Sequence, residues 1–262
     1  MKRHLKLILL FMKLSLMKEM IYKKTFVWSF ITITAWWLVQ LTMVNLIYYN
    51  VKAIAGWNFG EMLVLLGTFN IVDSLIFAFF VNNMGKIADY IRKGDLDFFL
   101  IKPISSQFYV TFKLFSFNEL YEVFLGMFLV FFGLGKISYN IPLINWSVFI
   151  IMIFSAIAIS YALWLITSCF AFISPRISEI HEAFISISQF SKYPVGIYNK
   201  FFNRLLVWFF PVLFMAAIPA GVLLGKYSFI YAAFSIILAV MFILISTKIW
   251  NFSLKYYQSA SS

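Results

Sequence analysis

Residues 143–173 read LINWSVFIIMIFSAIAISYALWLITSCFAFI, a stretch without one charged side chain. A helix needs about 20 consecutive apolar residues to cross a bilayer, and this stretch exceeds that. The rest of the chain agrees with it. Hydrophobic residues make up 63% of the sequence and charged residues only 12%, against roughly a quarter charged in an ordinary soluble domain. A water-soluble fold would have to leave much of that apolar surface on its outside. Lipid is the solvent that fits. No succession of ten-residue segments alternates apolar with polar positions, which argues against a transmembrane barrel. The expected fold is all-α, a polytopic membrane helical bundle.

Outward from that stretch, apolar runs cover about 26–49, 62–82 and 114–135 before it and about 228–250 after it. Trp28 near one end of the first run, and Tyr48 and Tyr49 at the other, stand where interfacial anchors belong. The segment from Ile177 to Leu224 is harder to assign. Its first half, Ile177–Tyr193, carries Glu179, His181, Glu182 and Lys192. Its second half, Phe201–Leu224, is apolar but interrupted by Pro211, Pro219 and Gly221. In one arrangement the second half crosses and the first half is a cytoplasmic helix. In the other, the polar half crosses and the proline-rich half enters from outside and returns as a re-entrant hairpin, which requires enclosure by protein. Both give six transmembrane crossings.

Basic residues set the orientation. Seven precede Phe26 (Lys2, Arg3, Lys6, Lys13, Lys18, Lys23 and Lys24), five lie in the 82–113 connection, and Lys248 and Lys255 lie in the tail. The opposite loops hold Lys52, Lys136 and Lys226. With Arg176, Lys192, Lys200 and Arg204 placed inside, the split is 18 to 3, and both termini are expected in the cytoplasm. The formal net charge of +11 then belongs with anionic membrane lipids. Nucleic acid is not an expected partner, because it would want a basic patch on a polar folded surface. The apolar run of residues 1–25 is interrupted by Lys13 and Lys18 and is followed by no small-residue cleavage site, unlike a signal peptide. Leu7, Leu10, Leu14, Met17 and Ile21 form one helical stripe, with Lys6, Lys13 and Lys24 on another face. That pattern predicts an amphipathic helix on the inner leaflet or against a partner. The alternative, an extension of the first crossing, would have to bury Lys23 and Lys24. Residues 26–262 then form a single transmembrane domain. One cysteine, Cys169, excludes an intrachain disulfide.

The most informative polar stretch is Lys86–Pro103, KIADYIRKGDLDFFLIKP. Ile87, Tyr90 and Ile91 suit a short amphipathic helix, which Gly94 can end in a left-handed conformation. Asp95 can cap a second short helix through Asp97 and Leu100, with Pro103 stopping it. Such a hairpin is either an ordinary capped loop or the element through which a soluble motor pushes on a membrane subunit. In the second case Phe98 and Phe99 are the apolar knobs, and Arg92, Lys93 and Asp97 fix the register.

Arg92-Lys93-Gly94-Asp95-Leu96-Asp97, then Leu100, Lys102 and Pro103, resembles the loop signature of one branch of the ATP-binding-cassette export permeases of the ABC-2 type. Ser191-Lys192-Tyr193-Pro194, with Ile197-Tyr198, Arg204, Pro211 and Pro219-Ala220, is similar to the Tyr-Pro and proline-rich region late in those permeases. The end, Leu254-Lys255-Tyr256-Tyr257-Gln258-Ser259-Ala260, resembles their closing basic-Tyr-x-Ser-Ala tail. The resemblance implies a non-catalytic permease subunit of an exporter in a bacterial cell membrane. It implies pairing with a second permease subunit, identical or different, and two ATPase subunits that hold ATP and Mg, with no cofactor on this chain. The Gly94 loop, about 84–103, would be the coupling helix, and the re-entrant arrangement is favoured. A hydrophobic or amphipathic substrate would suit such a permease.

Five acids fall in apolar surroundings. Asp73 lies in the second crossing, Glu119 and Glu122 share a face of the third, and Glu179 and Glu182 share a face of the ambiguous segment. A lipid-facing charge costs at least about 2.5 kcal/mol, so these acids are expected to face protein or a water-filled path. They could line a route for a cationic or amphipathic substrate. In the plainer reading, Asp73 pairs across a dimer and the glutamates are interfacial.

Motifs for chemistry on this chain do not complete themselves. Gly221–Lys226, GVLLGK, is one residue short of a phosphate-binding loop and is followed by Tyr227. Gly221 and Gly225, four apart, suggest small-residue helix packing instead. His181-Glu182-Ala183-Phe184-Ile185 lacks the second histidine of a zinc-protease helix. No Glu-Glu pair and no Gly-x-Ser-x-Gly elbow occur, and no metal site is expected. The alternatives to an exporter permease are an ion-coupled carrier, which should show matched broken segments in both halves, a non-transporting membrane scaffold and, last, a membrane-embedded enzyme.

Overall fold

The structure, a computed structural model, describes residues 2–173 and 177–257. Arg176 and the tail residues Gln258, Ser259 and Ala260, used above, lie outside the described residues. Among those described, the regular elements are all helical, with one isolated bridge between Ile54 and Trp57. Four helical stretches are long and apolar enough to cross a membrane: Lys23–Asn50, Phe59–Lys93, Leu143–Phe172 and Ile230–Tyr256.

Helix α1 (Lys2–Ile21) breaks at Tyr22, whose ψ of 53° is not helical, and α2 (Lys23–Asn50) follows at once. Lys23 and Lys24 sit exposed in the first turn of α2, so the helical path continues without burying them. The expected stripe of α1 faces away from the rest of the chain, since Leu10, Leu14, Met17 and Ile21 are exposed. The packed face is carried by Phe11 and Ser15, with the Phe11 ring edge-on to Tyr109 at 5.4 Å.

Helix α3 (Phe59–Ile76) starts with a complete capping box. The Asn58 side chain accepts the Glu61 amide, and the Asn58 amide donates to the Glu61 carboxylate. It runs through a π turn, Phe77–Val81, into α4 (Asn82–Met84). The short helices α5 (Ile87–Lys93) and α6 (Asp97–Leu100) form a hairpin, followed by α7 (Ser106–Phe112). Where one uninterrupted crossing was expected over 114–135, the regular helix is only α8 (Glu119–Leu134), and residues 113–118 are broken. Buried irregular backbone must find partners for its amides and carbonyls, and here it does. Asn83 takes the Leu114 amide on Oδ1 at 2.9 Å and gives Nδ2 to the Leu114 carbonyl at 2.7 Å. Ser15 Oγ takes the Phe115 amide and Glu19 Oε1 the Phe117 amide, both at 3.0 Å. The Ser116 amide donates to Ala78 O at 3.0 Å, inside the π turn where the α-helical ladder is interrupted.

Helices α3 and α8 pack along a glycine seam. A Cβ added to Gly67 would stand 2.6 Å from Gly126 O, and one added to Gly133 would stand 2.5 Å from Gly60 O. Close approach of backbones through small residues is how membrane helices gain van der Waals contact. Helix α9 (Leu143–Cys169) lies against α3 and against α10 (Ile177–Ser188). The chain then doubles back through α11 (Lys200–Arg204) and α12 (Ala217–Leu223) before α13 (Ile230–Ser253) runs along α9.

The path of 177–224 is defined by three contacts. Gly196 meets Ala55, where an added Cβ would stand 3.2 Å from the Ala55 Cβ. The Ala216 amide returns to Ser191 Oγ at 2.9 Å, and Lys226 Nζ donates to Gly56 O at 2.8 Å. The segment therefore reaches the 51–58 loop, retreats, and reaches it again. Residues 211–224 are buried throughout. Two expectations need correction here. Gly221 does not pack a neighbouring helix but the ring of Tyr227, which an added Cβ would meet at 2.1 Å. Gly225 has φ +70° and supplies the left-handed turn after α12.

Candidate functional site

The hairpin is built from local signals. Gly94 ends α5 with φ +74°, its amide returning to Ile91 O at 3.2 Å. Asp95 does not cap α6: Leu96 occupies the N-cap position, and no side chain bonds there. The second helix is held by burial instead. Leu96 is 0% exposed and Phe99 5%. The Phe99 ring lies 4.9 Å from that of Tyr90 and 4.7 Å from that of Tyr109. Lys113 Nζ sits 4.6 Å from the Phe99 centroid, and Lys102 Nζ sits 3.9 Å from that of Tyr109. Such cation–π contacts each add about 0.5–1 kcal/mol where water has access. Burial, followed by the Tyr109, Asp95 and Asp89 charges, raises the Tyr90 phenol and keeps it neutral.

This anchoring corrects the expected pair of knobs. Phe99 is an inward anchor, whereas Phe98 at 63% and Ile101 at 78% exposure face outward, with Leu100 beside them. Ile101 was not singled out in the sequence. Its place one turn past Asp97 put it with Phe98 (i, i+3) on one helical face, a signal that was there to read. Arg92 is tied to Asp89 at 2.6 Å within α5, both largely exposed, while Lys93 and Pro103 are exposed and the Asp97 amide donates to Gly94 O at 3.2 Å.

A second group gathers between the helices. Asp73 of α3 and Glu122 of α8 come close enough to Lys192 to feel its charge, and Glu119 of α8 stands near both acids. Lys192 Nζ lies 4.6 Å from the Phe69 centroid, one turn before Asp73. The sequence placed Lys192 among the inside charges; packing brings it to the acids. Glu179 and Glu182 are exposed on α10 and do not join them. Beside this group is a groove of about 570 Å³ between α2, α3 and residues 189–197, lined by Trp36, Gln40, Met62, Lys192 and Tyr193 among others. The late motif is mostly structural. Pro194, Pro211 and Pro219 are buried, and Pro219 lies in the first turn of α12, where a missing amide is tolerated. Tyr198 gives its phenol to Phe190 O at 2.5 Å. Among the described residues, no three His, Cys, Asp or Glu side chains are placed to hold a metal ion.

Residues 34–261 match the family model described as ABC-2 family transporter protein. Comparisons with curated proteins and with solved structures gave no match.

Proposed function

This chain belongs to the ABC-2 family of transporter proteins, and on that premise we propose that it is a permease subunit of an ATP-driven exporter. It works with a second permease subunit and two ABC ATPase subunits. ATP and Mg are bound on the ATPases, and the permease itself is non-catalytic. The observation that carries this reading is the α5–α6 hairpin, which buries Leu96 and Phe99 and turns Phe98, Leu100 and Ile101 outward. An exposed apolar patch fixed to the bundle by aromatic packing is what a soluble motor needs to grip and push.

In the proposed topology, residues 1–25 lie at the inner surface and 26–262 form the transmembrane domain. The six crossings are α2, α3–α4, the 114–135 segment with α8, α9, residues 177–198 and α13, with 200–223 as a re-entrant hairpin. The termini and the 84–103 loop are cytoplasmic, and the membrane is a bacterial cell membrane. The bias of Lys and Arg supports the orientation, and it survives when Lys192, Lys200 and Arg204 are no longer counted inside, as the re-entrant arrangement requires. Burial of 211–224 supports the hairpin, because irregular backbone at membrane depth must be enclosed. The meeting of Gly56 with Lys226, and of Ala55 with Gly196, supports a common outer end.

When the ATPases close, they push on α6. Tyr109 and Lys113 pass that motion to the 113–118 break and so to α8 and α3. The paired crossings rock and open a path past Asp73, Glu119, Glu122 and Lys192, and along the groove beside Trp36. A hydrophobic or amphipathic substrate with a cationic end suits such a path. The test is the variant F98D/I101D, both positions being exposed. It should keep the wild-type melting temperature in detergent while losing copurification with the ATPase. Recruitment and transport that persist in this variant would remove the coupling assignment.

A further inference from the structure

A cavity of about 430 Å³ opens where α1, the first turns of α2, the Asn82–Lys86 turn and the 114–118 break meet. Its lining divides by chemistry. Lys18 and Lys86 stand at it, both exposed, and neither has an ion-pair partner among the described residues. Partial burial at the cavity first, and then the like charges of Lys18 and Lys113, lower the Lys86 ammonium from its ordinary value, with Asp89 partly offsetting them. Lysines of one sign held together in this way favour an anion between them. On the α1 side, Glu19 Oε1 accepts the Phe117 amide, while Oε2 is buried with no hydrogen-bond partner. A buried acceptor left unpaired costs about 1–3 kcal/mol, so a donor belongs there. Tyr22, Phe26 and Phe115 supply apolar wall.

We propose that this cavity holds the headgroup of a glycerophospholipid, its phosphate between Lys18 and Lys86 and the hydrogen-bond donor at the far end of the headgroup on Glu19 Oε2. Phosphatidylethanolamine offers an ammonium for that contact and phosphatidylglycerol a hydroxyl, whereas the choline headgroup offers no donor. The acyl chains lie outside the cavity, where α1 exposes Leu14, Met17 and Ile21. Because Ser15 and Glu19 also bond the amides of the 113–118 break, the lipid fastens α1 to the connection that follows the hairpin. Basic pockets at the cytoplasmic ends of membrane helices are recurrent headgroup sites. Only the assignment to the inner leaflet rests on the orientation proposed above; binding in detergent does not depend on it.

The test is native mass spectrometry of the purified full chain, titrated separately with dihexanoyl phosphatidylglycerol, phosphatidylethanolamine, phosphatidylcholine and inorganic phosphate. The expected result is a one-to-one adduct with the first two, roughly fivefold or more above phosphatidylcholine, the ratio of a ~1 kcal/mol contact, and none with phosphate alone. K18A/K86A should reduce the adduct by a similar factor, and K200A, at an exposed lysine outside the cavity, should not. E19Q should erase the preference over phosphatidylcholine. Equal binding of all three lipids, an adduct unchanged in K18A/K86A, or inorganic phosphate binding as well as the lipids would overturn the proposal. Should K18A/K86A fail to fold, the wild-type comparison of headgroups decides alone.

Discussion

Glu61 is only 4% exposed. Its carboxylate meets Lys226 Nζ at 3.0 Å, the Tyr139 hydroxyl at 3.1 Å and the Asn58 amide at 2.7 Å. Lys226 in turn bonds Gly56 O and lies 5.4 Å from the Trp57 centroid. A buried pair satisfied in this way is costly to break from one side, because the remaining charge is left without compensation. K226A should destabilise the protein by about 3 kcal/mol, and K226A/E61Q should recover most of that, as read by thermal unfolding in detergent. A double variant as unstable as the single one would show that the charge on Glu61 is not the issue. Tyr139 sharpens the prediction. Burial, with Glu61 beside it, pushes its phenol up to about 12. The folded value lies above the unfolded one, so its stabilisation is fully present below pH ~10 and lost only as pH rises towards 12. Y139F should therefore cost about 1 kcal/mol, by an amount constant from pH 6 to 9. The Asn58–Glu61 capping box has a local spacing that the sequence offers, though it was not singled out there. The partnership with Lys226 and Tyr139 was not, since those residues lie in other loops and no local pattern joins them.

At the scale of elements, the seam between α3 and α8 turns on glycines that hydropathy does not register. G67A places a methyl against Gly126 O and Val130, and overpacking of this kind costs about 1–3 kcal/mol. G85A meets only Val81 O, at 3.4 Å, and should be tolerated. Equal melting temperatures for the two variants would contradict the close approach of the helices. The hairpin separates in the same way: F99A should destabilise the fold by about 3 kcal/mol or more, whereas F98A should change stability by less than about 0.5 kcal/mol. The sequence showed that a hairpin exists, because Gly94 is a local signal. It did not show which phenylalanine turns inward, because that depends on Tyr90, Tyr109 and Lys113 converging from two sides. The break at 113–118 was hidden for a similar reason. It contains no Pro or Gly, and its amides are satisfied by Ser15, Glu19 and Asn83, which the chain brings in from far away.

For the whole molecule, the apolar runs at 26–49, 62–82, 143–173 and 228–250 each correspond to a helix, because a span in lipid must be uniformly apolar and that property is written locally. The segment 177–224 could not be traced locally. Its polar half packs on α9, and its irregular half is enclosed by protein, so neither looks like a lipid-facing span. The grouping of Asp73, Glu119 and Glu122, without Glu179 and Glu182, was not legible, because it depends on how α3 and α8 pack, and the lysine near Asp73 and Glu122 arrives from another segment. The family resemblance carried by three short motifs in order agrees with a family match over 34–261. The proposed topology predicts that, in a C169S background, a cysteine at Lys93 reacts only from the cytoplasmic side and one at Lys52, which is also exposed, only from the outside. The opposite pattern would invert the orientation.

In the proposed mechanism the outward face of α6 receives an ABC ATPase. The most direct measurement places a photo-crosslinking amino acid at position 101, with position 51 in the opposite loop as control, and identifies the captured protein in the native host by mass spectrometry. Capture of a soluble ATPase with a phosphate-binding loop is expected from position 101 and not from 51. Capture of that ATPase from 51, or of no ATPase from 101 in a cell that is actively transporting, would contradict it.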